Sequence, residues 1–284
     1  MWVLDYNFNY LKNSKKIKGE KMKHKISVIA FLVMTLLINI SIKAGSDFDK
    51  AMMKAKKNLK EAMDKSDETK LIKVRGQFER ILQLKKDIWL VNYYIALSDY
   101  GLSMTGMASN KSDVIKKYTL SGIDVINKSI DENPEFADSY VLLENLNFNR
   151  WQYEQDKMQE IISATQSADD AAKKLDPNNP RLLLTNGIAS YYTPEAFGGG
   201  AKVAIPQLEK SIDVFKTRKE KKDIYPDWGY DLALGYMALS LIKRDDDGDI
   251  KSAKSYIDQA VKINPESDFI SKYVMKQYKE AEKE

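Results

Sequence analysis

Three consecutive glycines follow an aromatic residue in SYYTPEAFGGGAKVA, residues 190–204, in a chain with 13 glycines among 284 residues. Glycine-rich turns hold phosphate when their backbone amides converge on it. A P-loop needs a Gly-Lys-Ser/Thr ending after a strand, and a dinucleotide site needs spaced glycines after a strand. FGGGAKVA supplies neither. The same residues make sense as local structure. Thr193 caps a short turn, Pro194 takes its first helical position, Glu195 favours the positive end, and Gly198 adopts the left-handed conformation that ends it. Gly199 and Gly200 then release the chain into a helix in which Pro206 either occupies the first turn or makes a kink. Two readings of this loop stand together: it folds over its own helix pair with Phe197 packed beneath, or it belongs to a ligand or partner site.

The remaining chemical candidates are weaker. Cysteine is absent and the single histidine is His24, so from residue 45 onward zinc sites and Ser-His or Cys-His catalysis lack the side chains they require. KRDDDGDIKS, residues 243–252, suggests calcium, but with Gly248 at the obligatory glycine the first and twelfth ligand positions fall on Lys243 and Lys254, and the EF-hand pattern fails. It reads instead as a solvated turn whose Asp249 caps the next helix. Ser240–Lys243, SLIK, has a Ser-x-x-Lys spacing without the companion motifs of acyl transferases. No catalytic, metal-ligating or cofactor-binding residue is assigned. An enzyme would have to work with Asp, Glu, Lys, Ser or Tyr alone.

Charge is unevenly distributed. The formal net charge is +4, yet the first 44 residues hold eight lysines against Asp5 and Glu20, which leaves −2 for the rest. Nucleic-acid binding needs a concentrated basic surface, and the body offers none. Residues 22–44 have the layout of a secretory signal peptide: Lys23 and Lys25, an uncharged run of 17 residues from Ile26 to Ile42, and small residues around Ala44. Cleavage after Ala44 would deliver residues 45–284 to the periplasm or the exterior; left uncut, residues 26–42 would anchor the chain in the inner membrane. Residues 1–21 read as a non-native extension, because Lys-Gly-Glu-Lys ahead of Met22 can be encoded by a purine-rich ribosome site, which makes Met22 the start.

Residues 45–284 are expected to be helical throughout. Phe48, Met52, Ala55, Leu59, Ala62 and Met63 recur at helical spacing. Pro134, Pro177, Pro226 and Pro265 are separated by 43, 49 and 39 residues, the spacing of helix-turn-helix repeats with enlarged loops. Counted back from the proline, Ala253, Ile257 and Ala260 repeat the small-large-small order of Gly122, Ile126 and Ser129; Ala204, Leu208 and Ser211 form a third copy whose proline is displaced by KTRKEKKDIYP. A fourth keeps Ala172 and puts Asp169 where the large residue stood. Small residues let paired helices approach, and proline stops the second helix.

These positions and the Asn-Pro helix stops resemble the second helix of the tetratricopeptide repeat (TPR) from about residue 69 to 270. YYTPEAFGGG, PDWGYDLALGYMAL and the final repeat are also similar to secreted repeat proteins of Gram-negative bacteria. The resemblance implies an all-α fold, an α-solenoid of antiparallel helix pairs, and protein binding.

Aromatic residues gather in three segments: Trp89, Tyr93, Tyr94 and Tyr100; Tyr191 and Tyr192; and Tyr225, Trp228, Tyr230 and Tyr236. First helices line the concave surface of such arrays, where aromatics either anchor a ligand or pack between helices. Tyr191, Tyr192, Phe197, Gly198, Gly199, Gly200, Trp228 and Tyr230 are therefore the candidate groove, with a protein or peptide as partner. The alternative is a small-ligand carrier resembling the helical T component of periplasmic TRAP transport systems. It calls for a continuous pocket bounded by the loop at 193–200 and by Tyr191, Tyr192, Phe197 and Trp228.

Overall fold

The computed structural model describes residues 47–283. The leader, the extension before it and the expected cleavage point lie outside the described residues. Two compact units, Met1–Lys50 and Ala51–Glu284, divide the chain. Of the first, only the opening residues of helix α1 (47–64) are described.

Helices follow one another without a strand among the described residues: α2 (Glu68–Leu82), α3 (Ile88–Ala108), α4 (Ser112–Glu132), α5 (Ala137–Asn149), α6 (Met158–Leu175), α7 (Pro180–Tyr192), α8 (Ala201–Thr217), α9 (Tyr230–Arg244), α10 (Asp249–Ile263) and α11 (Met275–Ala281). α3 packs on α4, α5 on α6, α7 on α8 and α9 on α10 as antiparallel pairs, and α4·α5 and α8·α9 contacts join successive pairs. The fold is an all-α array of helix pairs, as the proline spacing and size pattern require.

The small-large-small positions form the seams. Ala204, Leu208, Ser211, Ala253, Ile257 and Ala260 are buried, and a Cβ on Gly122 would stand 2.8 Å from the Leu146 side chain of α5. The two serines in the pattern make matching bonds. Ser129 of α4 donates to the Trp89 carbonyl at 2.7 Å, and Ser211 of α8 donates to the Pro180 carbonyl at 2.8 Å. Each pins the end of a second helix to the first turn of its partner, satisfying the hydroxyl within the seam. Asp169, which replaces the large residue in α6, is buried with Lys173 and with Asn186 of α7 as hydrogen-bond partners.

α3 is the innermost helix. Its apolar residues occupy every side, the pattern of a helix surrounded by protein. Tyr93 and Tyr94 are fully buried, and the Tyr94 ring stacks on Phe78 of α2 at 5.1 Å. Trp89 and Tyr93 meet Phe136 at 4.7 and 5.5 Å, and Tyr225 closes on Trp89 at 5.7 Å. Of the two roles expected for these aromatics, this segment has the packing role. The buried arginines are paired. Arg181, 1% exposed, bonds Asp138 of α5 and Glu220 of the α8–α9 connection, and Arg75 joins α2 to Asp99 of α3 and Ser121 of α4.

Candidate functional site

The long connection between α8 and α9, residues 218–229, builds the site. Its backbone carbonyls are captured by side chains from distant helices: Lys56 of α1 donates to the carbonyls of Asp223 and Tyr225, both at 2.7 Å, and Tyr94 of α3 donates to that of Ile224 at 2.8 Å. Lys56 also pairs with the Asp227 carboxylate at 2.9 Å. Trp228 donates its indole N–H to the Tyr93 hydroxyl at 2.9 Å, and the Arg181 guanidinium lies 5.9 Å from the Trp228 ring. Gly229 ends the connection at φ +112°, where a Cβ would stand 2.9 Å from the Phe215 ring. Only glycine enters α9 by this route without strain.

This anchoring holds Trp228 and Tyr230 at a cavity of about 250 Å³. Leu59 and Met63 of α1, Tyr94 and Leu97 of α3, Leu232 of α9, Ile263 of α10 and Phe269 beyond it complete its apolar lining. Polar groups mark one side: the Asn264 amide donates to Asp64 at 2.8 Å and to Asp231 at 2.6 Å, and Lys60 pairs with Asp64 at 2.6 Å. Beside the cavity is an open cleft of about 700 Å³, where Lys57, Lys219 and Lys222 face the solvent. Lys56, Lys60 and Asp227 line both spaces and form the wall between them.

The eight candidate residues from the sequence fall at three places. Trp228 and Tyr230 line the cavity. Tyr191 and Tyr192 end α7 beside α9: their rings are 5.0 Å apart, Tyr191 is 5.9 Å from Tyr236, and the Tyr192 and Tyr236 hydroxyls are 3.4 Å apart. Lys243 lies 4.7 Å over the Tyr191 ring and bonds its carbonyl. Phe197, Gly198 and Gly199 line a separate open cleft with Asn186 and Gln207, and Gly200 stands at the start of α8. Phe269 connects the first two places, since it lines the cavity and lies 5.1 Å from Tyr236. Phe197 and Trp228, which the small-ligand alternative sets around one pocket, line different spaces, the open cleft and the cavity respectively.

The glycine loop departs from expectation in detail. Phe197 is 82% exposed, so it is not packed beneath the loop. Thr193 does not cap the turn Glu195–Phe197; its hydroxyl donates back to the Ala189 carbonyl at 2.8 Å, because the unpaired carbonyls at the end of α7 are nearer. Pro194 accordingly precedes the turn. Gly198 does end it, at φ +81°, and Gly200 at φ +96° donates to the Ser190 carbonyl at 2.8 Å. α8 runs unbroken through Pro206. Asp249 is the first residue of α10, and rather than capping it accepts from the Asp246 amide and from Arg244.

Lys56 and Asp231 carried no sequence signal, and Asn264 stood out only as a helix stop, because their partners in the site are remote in the chain. Burial pushes the Tyr191 phenol up to about 12 and raises those of Tyr93 and Tyr236, so these three stay neutral at ordinary pH. They serve as hydrogen-bonding and apolar surface, not as phenolate nucleophiles or bases.

No family model and no curated protein sequence matches the chain. In fold, the chain is similar to a haemophore. The HusA haemophore from Porphyromonas gingivalis overlays with a TM-score of 0.58 at 20% identity, covering 68% of this chain and 92% of that one. A thermophilic TPR protein from Thermus thermophilus overlays at 0.49 with 12% identity, covering 81% of this chain and 100% of the other. Among the described residues no helix is long and apolar enough to cross a membrane.

Proposed function

We propose that this chain is a non-enzymatic binding protein, exported by the leader at residues 22–44, that holds a protein or peptide partner through an apolar anchor in the Trp228–Tyr230 cavity. The cavity itself supports this reading. Besides packing on their neighbours, Trp228, Tyr230 and Phe269 line about 250 Å³ of space. That is slightly smaller than the roughly 300–1,000 Å³ of sites that enclose a whole small molecule, and suits one inserted side chain. Tyr192, 52% exposed, and the Phe197–Gly198–Gly199 turn offer further contacts along the partner. The test is selection of binders from a displayed peptide library. Wild type enriches a sequence class and Met63→Trp, which fills the cavity, does not; equal enrichment by both would place recognition elsewhere.

A second reading is a carrier of a small amphipathic anion. The apolar cavity shares a wall with the cleft of Lys57, Lys219 and Lys222, a pairing suited to an apolar body with acidic groups. One neighbour of similar fold is a haemophore, so haem is the first ligand to try. Saturable perturbation of the haem absorption band by wild type, lost in Met63→Trp, favours the carrier. An unperturbed band removes haem from consideration.

A further inference from the structure

Five charged side chains line the cavity: Lys56, Lys60, Asp64, Asp227 and Asp231. The two cations are already committed. Lys56 directs its ammonium to two backbone carbonyls and to Asp227, and Lys60 pairs with Asp64. Asp231 differs from the other carboxylates. One of its oxygens accepts from the Asn264 amide nitrogen at 2.6 Å, and no cation pairs with it among the described residues. Asp64 accepts from that same nitrogen at 2.8 Å, so two carboxylates already converge on a single amide donor at the cavity wall. The lining thus carries one negative charge in excess, next to Trp228, Tyr230 and Phe269. Aromatic faces attract cations through the ring quadrupole, and the attraction grows as water is excluded. The protein repeats this chemistry internally, with the Arg181 guanidinium between Asp138 and the Trp228 ring.

We propose that the cavity accepts a basic side chain of the partner, with its aliphatic stem against Trp228, Tyr230 and Phe269 and its cation on the outer oxygen of Asp231. This rests on the partner-binding reading above. A neutral apolar anchor would leave the Asp231 carboxylate partly desolvated without compensation, and an acidic one would face it directly.

The full chain is titrated with acetyl-Gly-Arg-Gly-amide and with its norleucine and glutamate counterparts, following the indole N–H resonance of Trp228. The arginine peptide is expected to shift that resonance saturably and to bind about tenfold more tightly than the norleucine peptide. Asp231→Asn should abolish the difference while the unliganded Trp228 resonance stays in place. Equal binding of arginine and norleucine peptides to wild type overturns the charge assignment but leaves the cavity as the anchor site. Preference for the glutamate peptide overturns it in favour of an anionic ligand. If no peptide moves the Trp228 resonance, the partner-binding reading of the cavity fails with it. The wild-type comparison holds even if the variant is unstable.

Discussion

Trp228 and Tyr93 are 135 positions apart in the sequence, yet the indole N–H of one meets the hydroxyl of the other at 2.9 Å. This bond fastens the α8–α9 connection to the innermost helix and sets the Trp228 ring at the cavity. Trp228→Phe keeps an aromatic ring and removes the donor. It should lower stability by about 1–2 kcal/mol, read from the urea unfolding midpoint. An unchanged midpoint would mean that the connection is held by the Lys56 and Tyr94 bonds alone.

Arg181 and Arg218 share Glu220 but differ in burial. Asp138→Ala leaves the buried Arg181 with Glu220 as its one acidic partner and should cost about 3–5 kcal/mol. Arg218 is partly exposed between Asp176 and Glu220, and Arg218→Ala should cost less than about 1 kcal/mol. Thermal unfolding of the two variants checks the order; comparable losses would contradict it.

Glu144 of α5 is 4% exposed, and burial, reinforced by Asp169, pushes its carboxyl from 4.5 up to about 8. Between those values the folded protein holds a proton that the unfolded chain releases. Stability from this group is therefore complete below pH 4.5 and declines as pH rises to about 8, by up to about 1.4 kcal/mol per pH unit. Glu144→Gln should flatten this part of the stability profile. A profile unaltered by the substitution would show that the carboxyl is ionised in the fold.

The glycines of the 198–200 turn are not equivalent. A Cβ on Gly198 meets nothing within 4 Å, so Gly198→Ala carries only the strain of the left-handed backbone, about 1–2 kcal/mol. On Gly199 it would stand 2.3 Å from the Thr193 carbonyl oxygen, which forces the backbone to move. Gly199→Ala should therefore be the more damaging in thermal melts. The reverse order would mean that the turn rearranges freely.

Helix content, the seams and the pair boundaries were legible because they depend on local spacing. Ala253, Ile257 and Ala260 announce a close helix contact whichever helix lies opposite, and Asn-Pro marks an end without reference to anything distant. Phe197 was misplaced because glycine and proline chemistry fixes the path of a turn and says nothing about what covers its side chains. The cavity was half visible. Trp228 and Tyr230 stood out by type, whereas Lys56 and Asp231 are ordinary polar residues until the fold brings them together, and Asn264 read only as a helix end. Tyr93 and Trp228 could be read as neighbours only after α3 was known to lie at the centre, and no periodicity carries that information.

The ties from α1 reach almost the whole length of the array. Lys56 holds the carbonyls of Asp223 and Tyr225, and Lys65, just after α1, pairs with Glu266 and Asp268 at 3.0 and 3.4 Å. A repeat array in which each unit touches only its neighbours can zip up from any point. Here the earliest helix of the array must wait for turns synthesised long after it, and loop closure on that scale slows folding. α2 and α3 cover part of α1 as soon as they form, but the side of α1 that carries Leu59 and Met63 meets residues 228–232 and Phe269, so the nascent chain will depend on chaperones most heavily just before those residues appear.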